Sequence, residues 1–165
     1  MLYNKVIGEI KLSGDKSIAH RLLILSSHIK GIHKIRNFPK NEDVLTTLEI
    51  LSKYGLEYKF SNNGNISINS KNIIFKKRSI NCNNSGTTAR LFCGYLSGLN
   101  IPTKIYGDKS LSNRPMARVV NPLIEFGNKI ISNNGKLPII INKSSQSKSF
   151  DFNLRVASAQ VKSSL

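Results

Sequence analysis

Residues 51–69 read LSKYGLEYKFSNNGNISIN, and residues 123–142 follow the same pattern as LIEFGNKIISNNGKLPIIIN. Gly55 recurs as Gly127 after 72 positions, and the glycine of the later Asn-Asn-Gly sequence recurs after 71 positions. A fixed period of this length is typical of a chain built from repeated structural units. Residues 51–69 and 123–142 therefore belong to two copies of one unit.

A second series of residues has the same period. Ser13-Gly14 recurs as Ser85-Gly86 after 72 positions, and a further 72 positions lead to Ser158. The sequence thus predicts about two complete copies of the unit and the start of a third. In the third copy we expect a strand over residues 150–156 and a helix from residue 157 onward. Because the sequence stops inside that helix, we expect the chain to be a fragment.

Each copy contains the pattern of a helix followed by a hairpin. In the first copy Asn41 is a suitable N-cap, the two acidic residues after it suit a first turn, and Gly55 ends the helix. The Asn-Gly pair at residues 63–64 predicts a two-residue hairpin turn. In the second copy a helix begins at Pro115 and ends at Gly127, and the hairpin turns at residues 134–135.

Apolar residues at helical spacing predict four helices, and we assign these stripes to the core. The stripes are Ile18, Leu22, Leu25 and Ile29; Val44, Leu48 and Leu51; Thr88, Phe92, Tyr95 and Leu99; and Met116, Val119 and Leu123. Alternating apolar residues predict the strands of the first hairpin at Tyr58, Phe60, Ile66 and Ile68. The unit therefore reads β-α-β-α-β-β, which is an α/β fold with a mixed sheet.

Composition limits the classes of protein that the chain can belong to. A formal net charge of +16 suits anionic partners such as nucleic acid, anionic lipid or phosphorylated small molecules. The basic residues are dispersed, however, so charge alone does not point to nucleic acid. No apolar run is long enough to span a bilayer. The two cysteines, Cys82 and Cys93, have neither zinc-site spacing nor the density of a disulfide scaffold, so we expect buried thiols and a cytoplasmic setting.

Four segments combine small residues, hydroxyls and basic residues at the starts of predicted helices. They are residues 13–21 (SGDKSIAHR), 83–90 (NNSGTTAR), 107–116 (GDKSLSNRPM) and 157–162 (ASAQVK). Backbone N–H groups at a helix start, together with hydroxyl and guanidinium groups, favour the binding of an anion. Any one of these segments, taken alone, would also be explained as a capped helix start with exposed basic side chains and no ligand. No Ser/His/Asp set stands out, and His20, His28 and His33 lack metal-ligand spacing with carboxylates.

Taken together, the four segments resemble the EPSP synthase family in order and in spacing, over nearly the whole chain. The resemblance implies a two-domain protein built from six copies of a β-α-β-α-β-β unit. Residues 1–12 would belong partly to the other domain, and residues 13–165 would form an incomplete N-terminal domain. It also implies transfer of the enolpyruvyl group of phosphoenolpyruvate to the 5-hydroxyl of shikimate 3-phosphate, which releases phosphate, with no metal or organic cofactor.

Residue roles follow from the matched positions. Lys16 is similar to the family lysine that contacts both substrates, and we expect it to be catalytic. The other residues expected to bind shikimate 3-phosphate are Ser17, Arg21, Ser158 and Gln160. Those expected to bind phosphoenolpyruvate are Gly86, Arg114 and Gln160, with Asn84 and Thr87 as secondary contacts.

The resemblance also implies a partner and leaves two alternatives. The acid/base carboxylates would come from the other half of the enzyme, and the complete protein is expected to be a monomer that binds neither nucleic acid nor membrane. The nearest alternative is the related transferase that acts on UDP-N-acetylglucosamine, which has an asparagine where this chain has Ser17. A noncatalytic basic module that binds nucleic acid is the alternative from another class, and salt-dependent binding would reveal it.

Overall fold

The computed structural model describes residues 8–10, 12–144, 151–154 and 157–165. Within these residues the chain forms six helices and seven strands. The helices are α1 (Lys16–His28), α2 (Glu42–Ser52), α3 (Gly86–Gly98), α4 (Lys109–Ser112), α5 (Ala117–Glu125) and α6 (Ala159–Ser164). The strands are β1 (Ile32–Ile35), β2 (Glu57–Phe60), β3 (Ile66–Asn69), β4 (Arg78–Asn81), β5 (Thr103–Tyr106), β6 (Lys129–Asn133) and β7 (Lys136–Asn142).

The strands form two sheets with related topology. One sheet has the order β1-β3-β2, and all its neighbours are antiparallel. The other has the order β4-β5-β7-β6, in which β4 and β5 are parallel and the remaining pairs are antiparallel. The trio β5-β7-β6 thus repeats the arrangement of β1-β3-β2, and the expected mixed α/β fold is confirmed. The number of repeated units in the whole protein stays a prediction.

The hairpins are found where the sequence predicts them, but the first turn is longer. Asn133 pairs with Lys136, so β6 and β7 are joined by the expected two residues, Asn134 and Gly135, both at positive φ. In the first hairpin Phe60 pairs with Ile66, which leaves a loop of residues 61–65. The prediction of a two-residue turn there is wrong, because Ser61 and Asn65 close the loop with a backbone hydrogen bond of 2.9 Å.

The predicted core stripe of α1 is wrong. Its four residues are exposed by 37% to 60%, whereas the buried side of the helix carries small and polar residues. The exposed residues are Ile18, Leu22, Leu25 and Ile29, and the buried ones are Ala19, His20, Leu23, Ser26 and Ser27. The helix faces α2 with His20, which is hydrogen-bonded to Thr47. That contact turns the apolar stripe away from the described part of the fold.

The other predicted stripes lie in or against the core. Val44, Leu48, Leu51, Phe92 and Leu123 are each at most 4% exposed. The strands β3 and β7 alternate buried and more exposed side chains, as a period of two requires.

Several predicted boundaries differ from the observed ones. Pro115 precedes the Met116 N-cap of α5 and so lies just outside the helix that it was expected to begin. The helix expected from residue 157 begins two residues later, after its Ser158 N-cap. Of the strand expected over residues 150–156, residues 151–154 are not in a strand, and the others lie outside the described residues. Most of segment 1–12 lies outside them too, so its assignment to another domain stays a prediction.

The two cysteines are free and buried. Burial raises the pKa of both thiols to about 12, with a further contribution from Cys93 at Cys82, so both stay protonated near neutral pH. No helix within the described ranges is long and apolar enough to cross a membrane.

Candidate anion-binding site

All four predicted segments lie at capped helix N-termini. The caps of α1, α3, α4 and α6 are Asp15, Ser85, Asp108 and Ser158, and each side chain accepts a hydrogen bond from a first-turn backbone N–H. The helix α1 begins at Lys16, one residue before Ser17, and the cap of α3 is Ser85 rather than Thr87 or Thr88. The remaining first-turn N–H groups point along the helix axis and favour negative charge.

Lys16, the first residue of α1, is held by a carboxylate of the next helix. Its Nζ lies 2.8 Å from Oδ2 of Asp43 in the first turn of α2. Burial acts to raise the pKa of Asp43, but hydrogen bonds from Lys16 and Ser85 outweigh it and lower that pKa below its usual value. The side chains of Lys16 and Asp43 are 46% and 31% exposed, so the ammonium remains accessible to a ligand.

Arg21 joins α1 to α6. Its Nε–H donates to Ser163 Oγ (2.8 Å), and its Nη2 donates to the carbonyl oxygen of Ala159 (3.1 Å). Its Nη1 donates to the carbonyl oxygen of Ser17 (2.8 Å), one turn earlier in α1. Arg21 therefore brings Ser17 next to the helix that Ser158 caps, and two segments 141 positions apart in the sequence come together.

Gln160 lies between α6 and the start of α3. Its Nε2 donates to Thr87 Oγ1 (2.9 Å), and its Oε1 accepts from Arg90 Nη1 (3.1 Å). Arg90 also donates to the carbonyl oxygens of Gly86 (3.3 Å) and Pro115 (3.1 Å), and thereby links α3, α6 and the start of α5.

Arg114 and Asn84 complete the group beside Gly86. Arg114 Nη2 donates to Asn84 Oδ1 (2.6 Å), and Asn84 Nδ2 donates to Asp108 Oδ2 (2.6 Å). Asp108 caps α4, and hydrogen bonds from the Leu111 backbone and from Asn84 lower its pKa. A Cβ atom at Gly86 would lie 2.9 Å from Arg90 Nη1 and 3.2 Å from Arg114 Nη1. The missing side chain therefore leaves room for two guanidinium groups to approach the backbone.

Positive charge is concentrated where these groups meet. Burial, and then the charges of Arg114 and Arg118, lower the pKa of Arg90. A guanidinium stays protonated in proteins, so the lowered pKa reflects burial of the charge and repulsion by its neighbours rather than loss of the proton. An anion bound between Arg90 and Arg114 would relieve this repulsion.

The structure places the expected residues on adjoining helix ends. Gly86, Thr87 and Gln160 share one hydrogen-bonded group, and Arg114 and Asn84 form a second one beside Gly86. Ser17, Arg21 and Ser158 lie at the contact of α1 with α6. Lys16 is paired with Asp43. Sequence reasoning left out three residues that organise the region: Asp43, Arg90 and Asp108. The sequence did contain a signal for Arg90. It follows Gly86 by four positions, and one turn of helix brings the Arg90 side chain next to the carbonyl oxygen of Gly86.

The chain matches known proteins over nearly its whole length. Residues 3–165 match the model of the family described as EPSP synthase (3-phosphoshikimate 1-carboxyvinyltransferase). A 3-phosphoshikimate 1-carboxyvinyltransferase of Clostridium tetani is 44% identical over 156 residues, which cover 93% of this chain and 35% of the relative. One of Vesicomyosocius okutanii is 43% identical over 163 residues, which cover 97% of this chain and 37% of the relative.

Solved structures agree with the sequence matches. A solved structure of EPSP synthase from Acinetobacter baumannii superposes with a TM-score of 0.83 at 33% identity, over 95% of this chain and 36% of that chain. The chain thus spans little more than a third of the length of the proteins that it matches.

Proposed function

Because this chain belongs to the EPSP synthase family, we propose that it forms part of an enzyme that joins phosphoenolpyruvate to shikimate 3-phosphate. The enolpyruvyl group passes to the 5-hydroxyl of shikimate 3-phosphate, and EPSP and phosphate are the products. The observation that supports this function best is the hydrogen-bonded group formed by Gly86, Thr87, Arg90 and Gln160. It joins helix starts that carry different family motifs, and its positive charge suits two anionic substrates.

The substrates divide between the two parts of this region. Ser17, Arg21 and Ser158, at the contact of α1 with α6, bind shikimate 3-phosphate. Gly86 and Arg114 bind phosphoenolpyruvate, and Asn84 supports Arg114 through their hydrogen bond of 2.6 Å.

Two residues belong to both substrate sites. Gln160 contacts the Thr87 side of the region from α6, so it reaches both ligands. Lys16 exchanges its bond with Asp43 for bonds to both substrates, and stabilises the negative charge that develops as phosphate leaves.

The remaining groups of the enzyme come from further polypeptide. The relatives are nearly three times as long as their matched parts, and the proposed acid/base carboxylates lie in that additional length. The exposed stripe Ile18, Leu22, Leu25 and Ile29 provides an apolar surface for such polypeptide to cover. We place the complete enzyme in the cytoplasm, as a monomer without metal or organic cofactor; the free, buried thiols suit a reducing compartment.

A chimera tests the function directly. Residues 1–165 of this chain would replace the matching segment of the Clostridium tetani relative, and phosphate release would be measured with both substrates present. We expect turnover of roughly 1 per second or more from the chimera, and none from the 165-residue chain alone. A folded chimera without turnover, or turnover by the chain alone, would contradict the proposal.

The same preparation separates the alternatives. The family match favours shikimate 3-phosphate over UDP-N-acetylglucosamine, and it favours an enzyme over a nucleic-acid-binding module. A chimera that accepted UDP-N-acetylglucosamine in place of shikimate 3-phosphate would reverse the first choice. A second outcome is that the chain also binds RNA with an affinity that falls steeply with salt. If that binding did not affect turnover, it would support a role for the positive charge that is separate from catalysis.

A further inference from the structure

A buried row of polar side chains connects α1, α2 and α3 beneath the candidate site. His20 Nδ1 lies 2.8 Å from Thr47 Oγ1, Thr47 Oγ1 lies 2.8 Å from Thr88 Oγ1, and Thr88 Oγ1 lies 2.6 Å from Ser85 Oγ. His20, Thr47 and Thr88 are fully buried, and Ser85 is 1% exposed. Hydrogen-bonded groups buried to this degree specify one arrangement of the elements that carry them.

The hydroxyl protons of this row can be assigned from its far end. Thr88 Oγ1 lies 3.2 Å from the backbone carbonyl oxygen of Asp43, and a carbonyl oxygen can only accept, so the Thr88 hydroxyl donates its single proton there. The Ser85 hydroxyl then donates to Thr88 Oγ1. The remaining lone pair of Thr88 Oγ1 accepts from Thr47. Thr47 has no second proton, so it accepts from His20 Nδ1–H.

We propose, on the basis of the function proposed above, that His20 is a positioning residue for the two substrate sites. In its neutral Nδ1–H form it begins a one-way chain of hydrogen bonds through Thr47 and Thr88 to the backbone carbonyl oxygen of Asp43. The chain starts one turn after Lys16 on α1 and ends on the residue whose carboxylate holds Lys16. At Thr88 it also binds the hydroxyl of Ser85, the cap of α3 that directly precedes Gly86, and so it fixes Lys16 relative to Gly86.

The other ring nitrogen of His20 agrees with this assignment. Nε2 is buried and has no hydrogen-bond partner. An unprotonated nitrogen leaves only a lone pair unmatched there, whereas an N–H would be a buried donor without an acceptor. Burial lowers the pKa of His20 to about 4, so the ring is neutral at physiological pH.

The tautomer of His20 is the first test, and it uses the 165-residue chain. Nitrogen-15 chemical shifts of the imidazole, measured at pH 7 through couplings to the ring hydrogens, distinguish Nδ1–H from Nε2–H. We expect Nδ1–H at His20. An Nε2–H ring would reverse the direction of the first bond and overturn the proposal, whatever the variants below show.

The second test removes one hydroxyl from the middle of the chain in the active chimera. Thr47→Val keeps the shape of the side chain, and Thr47→Ser keeps the hydroxyl. Thr103→Val is the matched control, because Thr103 is 3% exposed and its hydroxyl bonds to Ile101 far from the site. We expect Thr47→Val to lower kcat/KM roughly tenfold or more through misplaced groups. Thr47→Ser should stay within about twofold of the parent.

The comparison separates positioning from stability and from the function itself. The proposal would be overturned if Thr47→Val and Thr103→Val had equal kcat/KM, or if Thr47→Ser did not retain the kcat/KM of the parent. Either result would show that the buried row contributes to folding alone. An inactive parent chimera would instead contradict the function. If Thr47→Val does not fold, the nitrogen-15 chemical shifts of His20 still test the proposal.

Discussion

The ammonium of Lys16 lies 2.8 Å from the carboxylate of Asp43, across the interface of α1 and α2. The pair is partly exposed, so water screens it and the bond contributes at most about 1 kcal/mol to stability. A phosphate or carboxylate ligand could therefore draw the ammonium away at little cost. Asp43 holds the Lys16 side chain against the first turn of α2.

Lys16→Met is expected to remove catalysis without unfolding the protein. In the chimera we expect turnover to fall on the order of 100-fold or more, because the cation that we propose to stabilise developing charge is gone. The free energy of unfolding should change by less than about 1 kcal/mol. Lys109→Met is the control, since Lys109 also follows an aspartate cap at the first position of its helix. Steady-state rates and urea unfolding would be measured, and a Lys16→Met rate within a few-fold of the parent would exclude a catalytic role.

Gly86→Ala is expected to affect phosphoenolpyruvate selectively. The new methyl would meet Arg90 Nη1 at 2.9 Å and Arg114 Nη1 at 3.2 Å, and these flexible ends can move aside without disturbing the helix. The displaced guanidinium groups would then bind the ligand less well. We expect KM for phosphoenolpyruvate to rise roughly tenfold and KM for shikimate 3-phosphate to change far less. Equal increases for both substrates would indicate distortion of the whole region.

Gly94→Ala is expected to detach α6 from α3. A Cβ at Gly94 would overlap the carbonyl oxygen of Ser164, and backbone cannot rotate away as a side chain does. Hydrogen exchange of α6 amides should accelerate, while the amides of β5 and β7 stay protected. Gly98→Ala is the control on the same helix, because a Cβ there meets nothing within 4 Å. That substitution should stabilise the protein by about 0.5–1 kcal/mol. Unchanged α6 exchange in Gly94→Ala would show that this contact is not needed.

His20 is expected to make stability fall in mild acid. Its pKa is 6.5 in the unfolded chain and about 4 in the fold, because burial lowers it more than Asp43 raises it. Lys16 and Arg21 lower it further. The unfolded state therefore binds the proton first, and stability is complete above pH 6.5 and is lost as pH falls toward 4. The loss is roughly 3 kcal/mol.

Urea unfolding at several pH values would measure this effect. His20→Asn removes the titrating ring, so its stability should depend less on pH between 6.5 and 4. His28→Gln and His33→Gln, which remove the more exposed histidines, are the matched controls. An unchanged slope in His20→Asn would assign the acid sensitivity to other groups.

The exposed stripe of α1 is expected to drive association of the isolated chain. Leu25→Asp places a charge in its centre and should reduce self-association in sedimentation experiments. Ile131→Asp is a matched control, because Ile131 is exposed by the same 59% as Leu25 but lies on β6. Equal effects of the two substitutions would show that the stripe is no special surface. In the chimera the stripe should be covered, and its amides should be protected from exchange.

Local sequence patterns predicted where helices and hairpins lie better than they predicted which face of a helix is buried. The Asn41 cap, the hairpin at residues 134–135 and the buried side of α5 follow from short-range rules, and the structure has all three. The face of α1 could not be obtained in that way. Its buried side is chosen by a tertiary bond from His20 to Thr47, and a stripe of apolar residues does not reveal which neighbour is present.

The same limit applies to the site. The family motifs identified residues such as Gly86 and Gln160 because these carry recognisable sequence signals. Asp43 and Asp108 are ordinary helix-start acids in the sequence, and only the fold shows that one holds Lys16 and the other holds Asn84. Their roles depend on contacts with residues that are distant in the sequence, and the spacing of motifs does not reveal such contacts.

The bonds of Arg21 to Ala159 and Ser163 span 138 and 142 positions of the chain, and this determines when they can form during synthesis. A ribosome adds about 5–20 residues per second, so roughly 7–28 s separate the translation of the two ends. During that interval the partners of Arg21 on α6 have not yet been synthesised, whereas the hairpins β2–β3 and β6–β7 can already form. The contact of α1 with α6 in the candidate anion-binding site is thus among the last parts of the described chain to form on the ribosome, and a pause in translation before residue 159 would delay it.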